Sequence, residues 1–192
     1  KNSDYTVLFD LDGPGCSIGP VDFTGLSLSL DFRGTAGTIK RLNLSRENLK
    51  AAIAAEIETE GPDATVRFKE CSLDALGETW IGGGAFTVVI GDSIVRFDDI
   101  QLHSKAGAAF VDGAISFPSK TVRGRFAFER LGLDLLNRAG FLKAPLAGKA
   151  RGAIRFSGPY ADPDLDIDVA VEGGRIDTFI IDTLRVRADY AK

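Results

Sequence analysis

The 192-residue chain has no methionine, one histidine, one tryptophan and two cysteines. Each shortage closes a route to function. With His103 as the sole imidazole, a histidine-rich metal site is impossible and a Ser-His-Asp constellation would hang on one residue. Following Leu102 in an alternating run, His103 reads as a surface residue. Cys16 and Cys71 make no CxxC motif, so they either pair in an oxidising compartment or stay apart as buried thiols. No apolar run approaches the roughly 20 residues of a membrane-spanning helix, and no signal peptide opens the sequence. Without methionine the chain does not begin at its own start codon. The expectation is a piece of a longer protein, with any anchor or export signal outside it. Proline- or serine-rich linkers and low-complexity tracts are missing too. The 27 acidic and 23 basic residues are interspersed, leaving a net charge of −4 and no basic surface for nucleic acid.

What is present favours β structure. Hydrophobic residues make up 44% of the chain, which argues against disorder, and 22 glycines punctuate short runs of Val, Ile, Phe, Leu and Thr. Most of the chain reads at period two. In "PDLDIDVAVEGG", Leu165, Ile167, Val169 and Val171 point one way and Asp164, Asp166, Asp168 and Glu172 the other, with Glu-Gly-Gly as the expected turn. Ile154 and Phe156 share a face opposite Arg151 and Arg155. Leu184, Val186 and Tyr190 share one opposite Arg185 and Arg187. Paired as a meander, these strands would set the acidic row between two basic rows. Acids spaced by two on a strand lack the turning loop of a calcium site, so no metal is expected there.

A pattern of apolar, two residues, apolar, one residue, apolar recurs at Phe23-Leu26-Leu28, Ile39-Leu42-Leu44, Phe97-Ile100-Leu102 and Ile181-Leu184-Val186. The odd step predicts a bulge or turn at strand entry. Leu42–Leu73 also matches Ile100–Leu131 at a constant shift of 58 residues, which reads as a repeated β unit. The repeat arbitrates "ENLKAAIAAEIE": its counterpart "AGAAFVDGAISF" suits a strand, so a strand is expected in both. One helix is predicted, over 131–142, where Leu131, Leu135, Leu136 and Leu142 form a stripe.

Two acidic stretches resemble the haloacid dehalogenase phosphatases. "VLFDLDG" has that family's Asp-x-Asp-Gly, with Asp10 and Asp12, and "VVIGDS" resembles its second acidic motif. The nucleophilic strand of such enzymes must feed a helix in a parallel sheet. Here Pro14-Gly15 and an alternating segment follow, and Arg96 stands where the second motif wants an acid. Both stretches therefore read as strands ending in acidic turns, with Val7, Phe9 and Leu11 inward and Gly91-Asp92 as a hairpin turn. A phosphatase using Asp10 and Asp12 is the remote alternative. "WIGGGAF" has neither the lysine nor the helix of a phosphate cradle, and reads as a hairpin tip with Trp80 packed at its base.

The C-terminal half carries a second resemblance. A leucine-rich stretch (131–142) precedes Leu146-Ala147-Gly148 and Gly152. A Gly158-to-Pro163 turn, the alternating strand 165–171 and Gly173-Gly174 follow. In this order the motifs resemble the AsmA-like and TamB proteins, well over 94–192 and loosely over 1–93, where residues 1–20 match nothing. The resemblance implies a mainly β fold. Its form would be an elongated, curled antiparallel or mixed sheet making a taco-like groove with a hydrophobic concave face, and the whole chain would be one groove segment. It also implies a non-enzymatic role without cofactors: shielding phospholipid acyl chains for inner-to-outer membrane lipid transport and outer-membrane biogenesis. The setting implied is the periplasm, with the parent chain anchored in the inner membrane and meeting an outer-membrane Omp85-type, TamA-like barrel. The groove residues expected are Ile154, Phe156, Leu165, Ile167, Val169, Val171, Leu184 and Val186, with Phe110, Ile115, Phe117, Phe126 and Phe128 from the repeat. The alternative is a closed β scaffold that binds nascent outer-membrane proteins through a sheet edge.

Overall fold

The computed structural model describes residues 6–13, 16–18, 21–47, 49–140 and 144–190. The fold is mainly β, built of antiparallel sheet with one short helix among the described residues, and it divides into two compact units, Lys1–Asp92 and Ser93–Lys192.

The first unit holds β1 (Thr6–Gly13), β2 (Cys16–Ile18), β3 (Val21–Phe23), β4 (Gly25–Arg33), β5 (Ala36–Arg46), β6 (Leu49–Glu60), β7 (Asp63–Ala75), β8 (Glu78–Gly82) and β9 (Phe86–Ile90). β2 and β3 pair with each other, while the other strands run in the order β1-β4-β5-β6-β7. β6 is the strand that the repeat favours over a helix. β8 and β9 both pair with β7, at Ser72–Ala75 and Ala64–Phe68 respectively. Gly83-Gly84-Ala85 is therefore not a hairpin tip. It joins two short strands on one edge of β7 and passes the irregularity where β7 skips Lys69 in its pairing with β6. Trp80 is buried, as expected, against Leu73's side of that edge.

The second unit is a meander of β10 (Ile94–Ser104), β11 (Gly107–Ser116), β12 (Thr121–Gly132), β13 (Leu146–Pro159), β14 (Asp164–Ile176) and β15 (Phe179–Tyr190). Its helix, α1, spans only Asp134–Arg138 rather than 131–142. Leu131 and Gly132 belong to β12, where Leu131 pairs with Ala150, and the leucine stripe is broken by this change of period. Residues 141–143 lie outside the described residues. Leu135 anchors the helix by burial, and the Asn137 amide accepts from Leu146 N–H (2.8 Å) and donates to Ala144 O (2.6 Å).

Two of the four odd steps are bulges: Lys40-Arg41 in β5 and Asp98-Asp99 in β10 each oppose a single residue. Phe23-Leu26 straddles the break between β3 and β4, and Ile181–Leu184 pairs with β14 in unbroken register. The 58-residue shift carries the β5–β6 register, bulge included, onto β10–β11. It fails for the next hairpin, because a two-residue turn joins β6 to β7 and a four-residue turn, 117–120, joins β11 to β12. Glu172-Gly173-Gly174 is not the expected turn either. β14 runs through it with a register shift, and the chain reverses at Asp177-Thr178. Gly173 takes φ +57°, which glycine adopts without penalty.

Candidate functional site: an apolar face on each unit

Cross-strand partners share a face, so the registers sort every side chain. In the first unit Phe9, Leu30, Ile39, Ala55, Phe68 and Phe86 form one row across the sheet. Beside it run Leu11, Leu28, Leu42, Ile53 and Cys71. The opposite face carries Asp10 and Asp12 against Ser29 and Ser27, then Arg41, Asn43, Glu56, Glu58 and Arg67. Lys69–Glu56 (2.9 Å) and Arg67–Glu58 (2.7 Å) are ion pairs on that charged face.

In the second unit the central apolar row is Ile100, Val111, Phe126, Ile154, Ile167 and Ala188. A neighbouring row is Leu102, Ala109, Phe128, Gly152, Val169 and Val186. The row on the other side, Phe97, Gly113, Gly124, Phe156 and Leu165, has two facing glycines at its centre. Atoms of the Phe97 ring lie 3.1 Å from where a Gly113 Cβ would stand, and atoms of the Phe156 ring 2.7 Å from one on Gly124. Phe32 covers Gly37 in the same way. Rings laid over glycine restore the apolar contact that a missing side chain removes.

These rows hold most of the residues expected in a groove. Ile115, Phe126, Phe128, Ile154, Phe156, Leu165, Ile167, Val169, Val171, Leu184 and Val186 all share the apolar face. Two do not. Phe110 faces the other way, opposite Gln101 and Ala127 and edge-on to exposed His103 at 6.0 Å between centroids. Period two puts residues five apart on opposite faces, so Phe110 and Ile115 could not share one. Phe117 lies beyond β11, exposed in the turn to β12. Phe97, Ile100 and Val111 belong on the face and were not assigned to it. Strand parity with Gly113 and Ile115, once the bulge was placed, is the signal that finds them.

The apolar face is not sealed. Of its residues in the second unit only Ala109, Phe128 and Ala150 are buried, while Leu184 and Val186 are 41% and 43% exposed. No side chain among the described residues is completely buried, which a closed sandwich core would require. Val7, Phe9 and Leu11 are likewise exposed at the first unit's outer strand.

The cross-strand ion pairs of the second unit lie on the other face. As the meander predicts, Arg155–Asp166 (2.7 Å), Arg151–Glu172 (3.1 Å) and Arg185–Asp168 (2.7 Å) bridge neighbouring strands. A depression of about 630 Å³ lies on this face, floored by Ala127, Ala153 and Ala170. It is shallow, and three of its four arginines are the paired ones just named.

Nothing here assembles the chemistry of the acidic motifs. β1 runs antiparallel to β4 and is followed by the β2–β3 pair, not a helix. Gly91–Ser93 links β9 to β10. Asp166 and Asp168 are engaged by arginines, and no three potential metal ligands cluster among the described residues. Cys71 is a free thiol on the apolar face whose pKa burial pushes up, disfavouring the reactive thiolate. Among the described residues no helix is long and apolar enough to cross a membrane. The chain matches no family model, no curated protein and no solved structure.

Proposed function

We propose that the chain is a non-enzymatic segment of an AsmA-like or TamB-like bridge protein, in which the apolar sheet faces shield phospholipid acyl chains. The observation that carries this reading is the segregation within each unit: wide apolar rows left accessible on one face, ion-paired strands on the other. A monomeric soluble domain rarely leaves a contiguous apolar area of this extent bare unless something occupies it. Acyl chains fit because the rows offer continuous contact without a polar group to orient a headgroup. Bringing a chain of about 16 carbons into water costs on the order of 13 kcal/mol, at about 0.8 kcal/mol per methylene. A bare apolar face offsets most of that without a shaped pocket. The parent chain would work in the periplasm of a diderm bacterium, anchored in the inner membrane and meeting an Omp85-type barrel.

Lipid extraction followed by mass spectrometry tests the proposal. Ile154 and Ile167 are directly opposite on β13 and β14, so Ile154→Asp with Ile167→Asp plants two carboxylates in the central row. The chain purified from a diderm host should carry phospholipid, and the double variant about tenfold less, with the β circular dichroism retained. A wild-type chain free of phospholipid would contradict it.

A further inference from the structure

Two irregularities meet at the helix-bearing end of the second sheet. Glu129 and Arg130 of β12 stand against Arg151 alone, and Gly173 and Gly174 of β14 stand against Gly148. Neither Arg130 nor Gly173 has a cross-strand partner in the ladders on either side. Between them lies a depression of about 510 Å³ lined by Arg130, Lys149, Ala150, Arg151, Glu172 and Gly173. Three cations therefore face one carboxylate, and that carboxylate is held by Arg151 at 3.1 Å. Among the described residues neither Arg130 nor Lys149 has an acid within ion-pair distance. Arg123, Arg125 and Arg175 share that condition but do not line this depression, while Arg96, Arg138, Arg155, Arg185 and Arg187 of the same unit are each paired with an acid.

Arg130 is also in an uncommon conformation, φ +51°. Of the other non-glycine residues with positive φ, Glu47, Leu76, Lys120 and Asp177 are in turns and Asp99 is in the β10 bulge. Left-handed backbone costs a side-chain-bearing residue about 1–2 kcal/mol, and glycine or asparagine would relieve it. A bulge needing only its shape has no use for arginine there.

We propose that this depression binds a phosphate group, the guanidinium of Arg130 and the ammonium of Lys149 supplying charge-assisted donors to its oxygens with Arg151 beside them. The phosphate comes either from a phospholipid headgroup or from a soluble phosphate. The assignment goes beyond the acyl-chain reading and stands without it, because the charged residues it uses, Arg130, Lys149 and Arg151, lie outside the apolar rows.

The test uses the whole chain, ¹⁵N-labelled and titrated with inorganic phosphate at constant ionic strength set by chloride. Flotation with phosphatidylglycerol vesicles runs in parallel. Saturable amide shifts at Arg130, Lys149 and Gly173 are expected. Arg130→Gly relieves the backbone, so its melting temperature should hold or rise while phosphate affinity falls about tenfold. Lys149→Ala should weaken binding similarly. Vesicle flotation lost in Arg130→Gly assigns the site to a lipid headgroup. Loss of phosphate binding with flotation unaltered, or with no flotation of either protein, assigns it to a soluble phosphate. The proposal is overturned if wild type shows no saturable shifts with phosphate, or if Arg130→Gly binds as wild type does.

Discussion

Asp168 stands opposite Arg187 and is held diagonally by Arg185, whose Nε and Nη2 donate to its two oxygens at 3.0 and 2.7 Å. Those hydrogen bonds, reinforced by the charges of Arg185 and Arg187, keep the Asp168 carboxyl below the usual aspartate range despite partial desolvation. The same contact pushes Arg185 up. A carboxyl depressed in the folded state stabilises the fold above its unfolded pKa, and that contribution is lost as pH falls through the folded one. Asp168→Asn should therefore lower the melting temperature at neutral pH, and the gap from wild type should close as acid takes the pH down through the depressed folded pKa. The pair is open to solvent, so the neutral-pH gap should also shrink in about 1 M salt. A gap that persists in acid would assign the loss to packing instead. The acid-between-bases arrangement was legible in the sequence because charge alternates with Leu165, Ile167 and Val169 at period two. Phe110 falls on the other face because it stands five residues from Ile115 on one uninterrupted strand.

The bulges decide at the scale of the element. Asp98-Asp99 in β10 and Lys40-Arg41 in β5 each add one residue, returning Ile100 and Leu42 to the apolar face after Phe97 and Ile39. Since a one-residue slip moves a whole strand to its other face, deleting Asp99 should turn either Phe97 or Ile100 and Leu102 towards the charged side. The expected result is a loss of about 2–4 kcal/mol, with lost amide-exchange protection concentrated in β10 and β11. Uniform loss across both units, or none, would contradict this role. These two bulges could be read from the triad spacing. The bulge at Gly173 could not, because Glu-Gly-Gly has the composition of a turn and only the length of β15, running from Phe179, keeps β14 extended past it. The predicted 131–142 helix is shortened for a related reason: Leu131 lies in β12 and Leu135 in the first turn of α1, and four-residue leucine spacing crosses that junction unaltered.

For the whole molecule, the antiparallel architecture was legible in period two and in the repeat. The occupant of its apolar faces was not, since a row such as Ile100, Val111, Phe126, Ile154 and Ile167 reads the same whether it covers a protein core or a lipid. Exposure in the fold shows only that the face is left partly uncovered, and the lipid occupant is the proposal. Photo-crosslinking in cells tests this most directly, with a photoreactive residue at Ile167 in one version of the protein and at Asp168 in the other. Ile167 lies in the apolar row and Asp168 among arginines on the opposite face. The account predicts phospholipid adducts at 167 and none at 168. Adducts to protein alone at 167, with no lipid at either position, would contradict it and make the face a protein-binding surface.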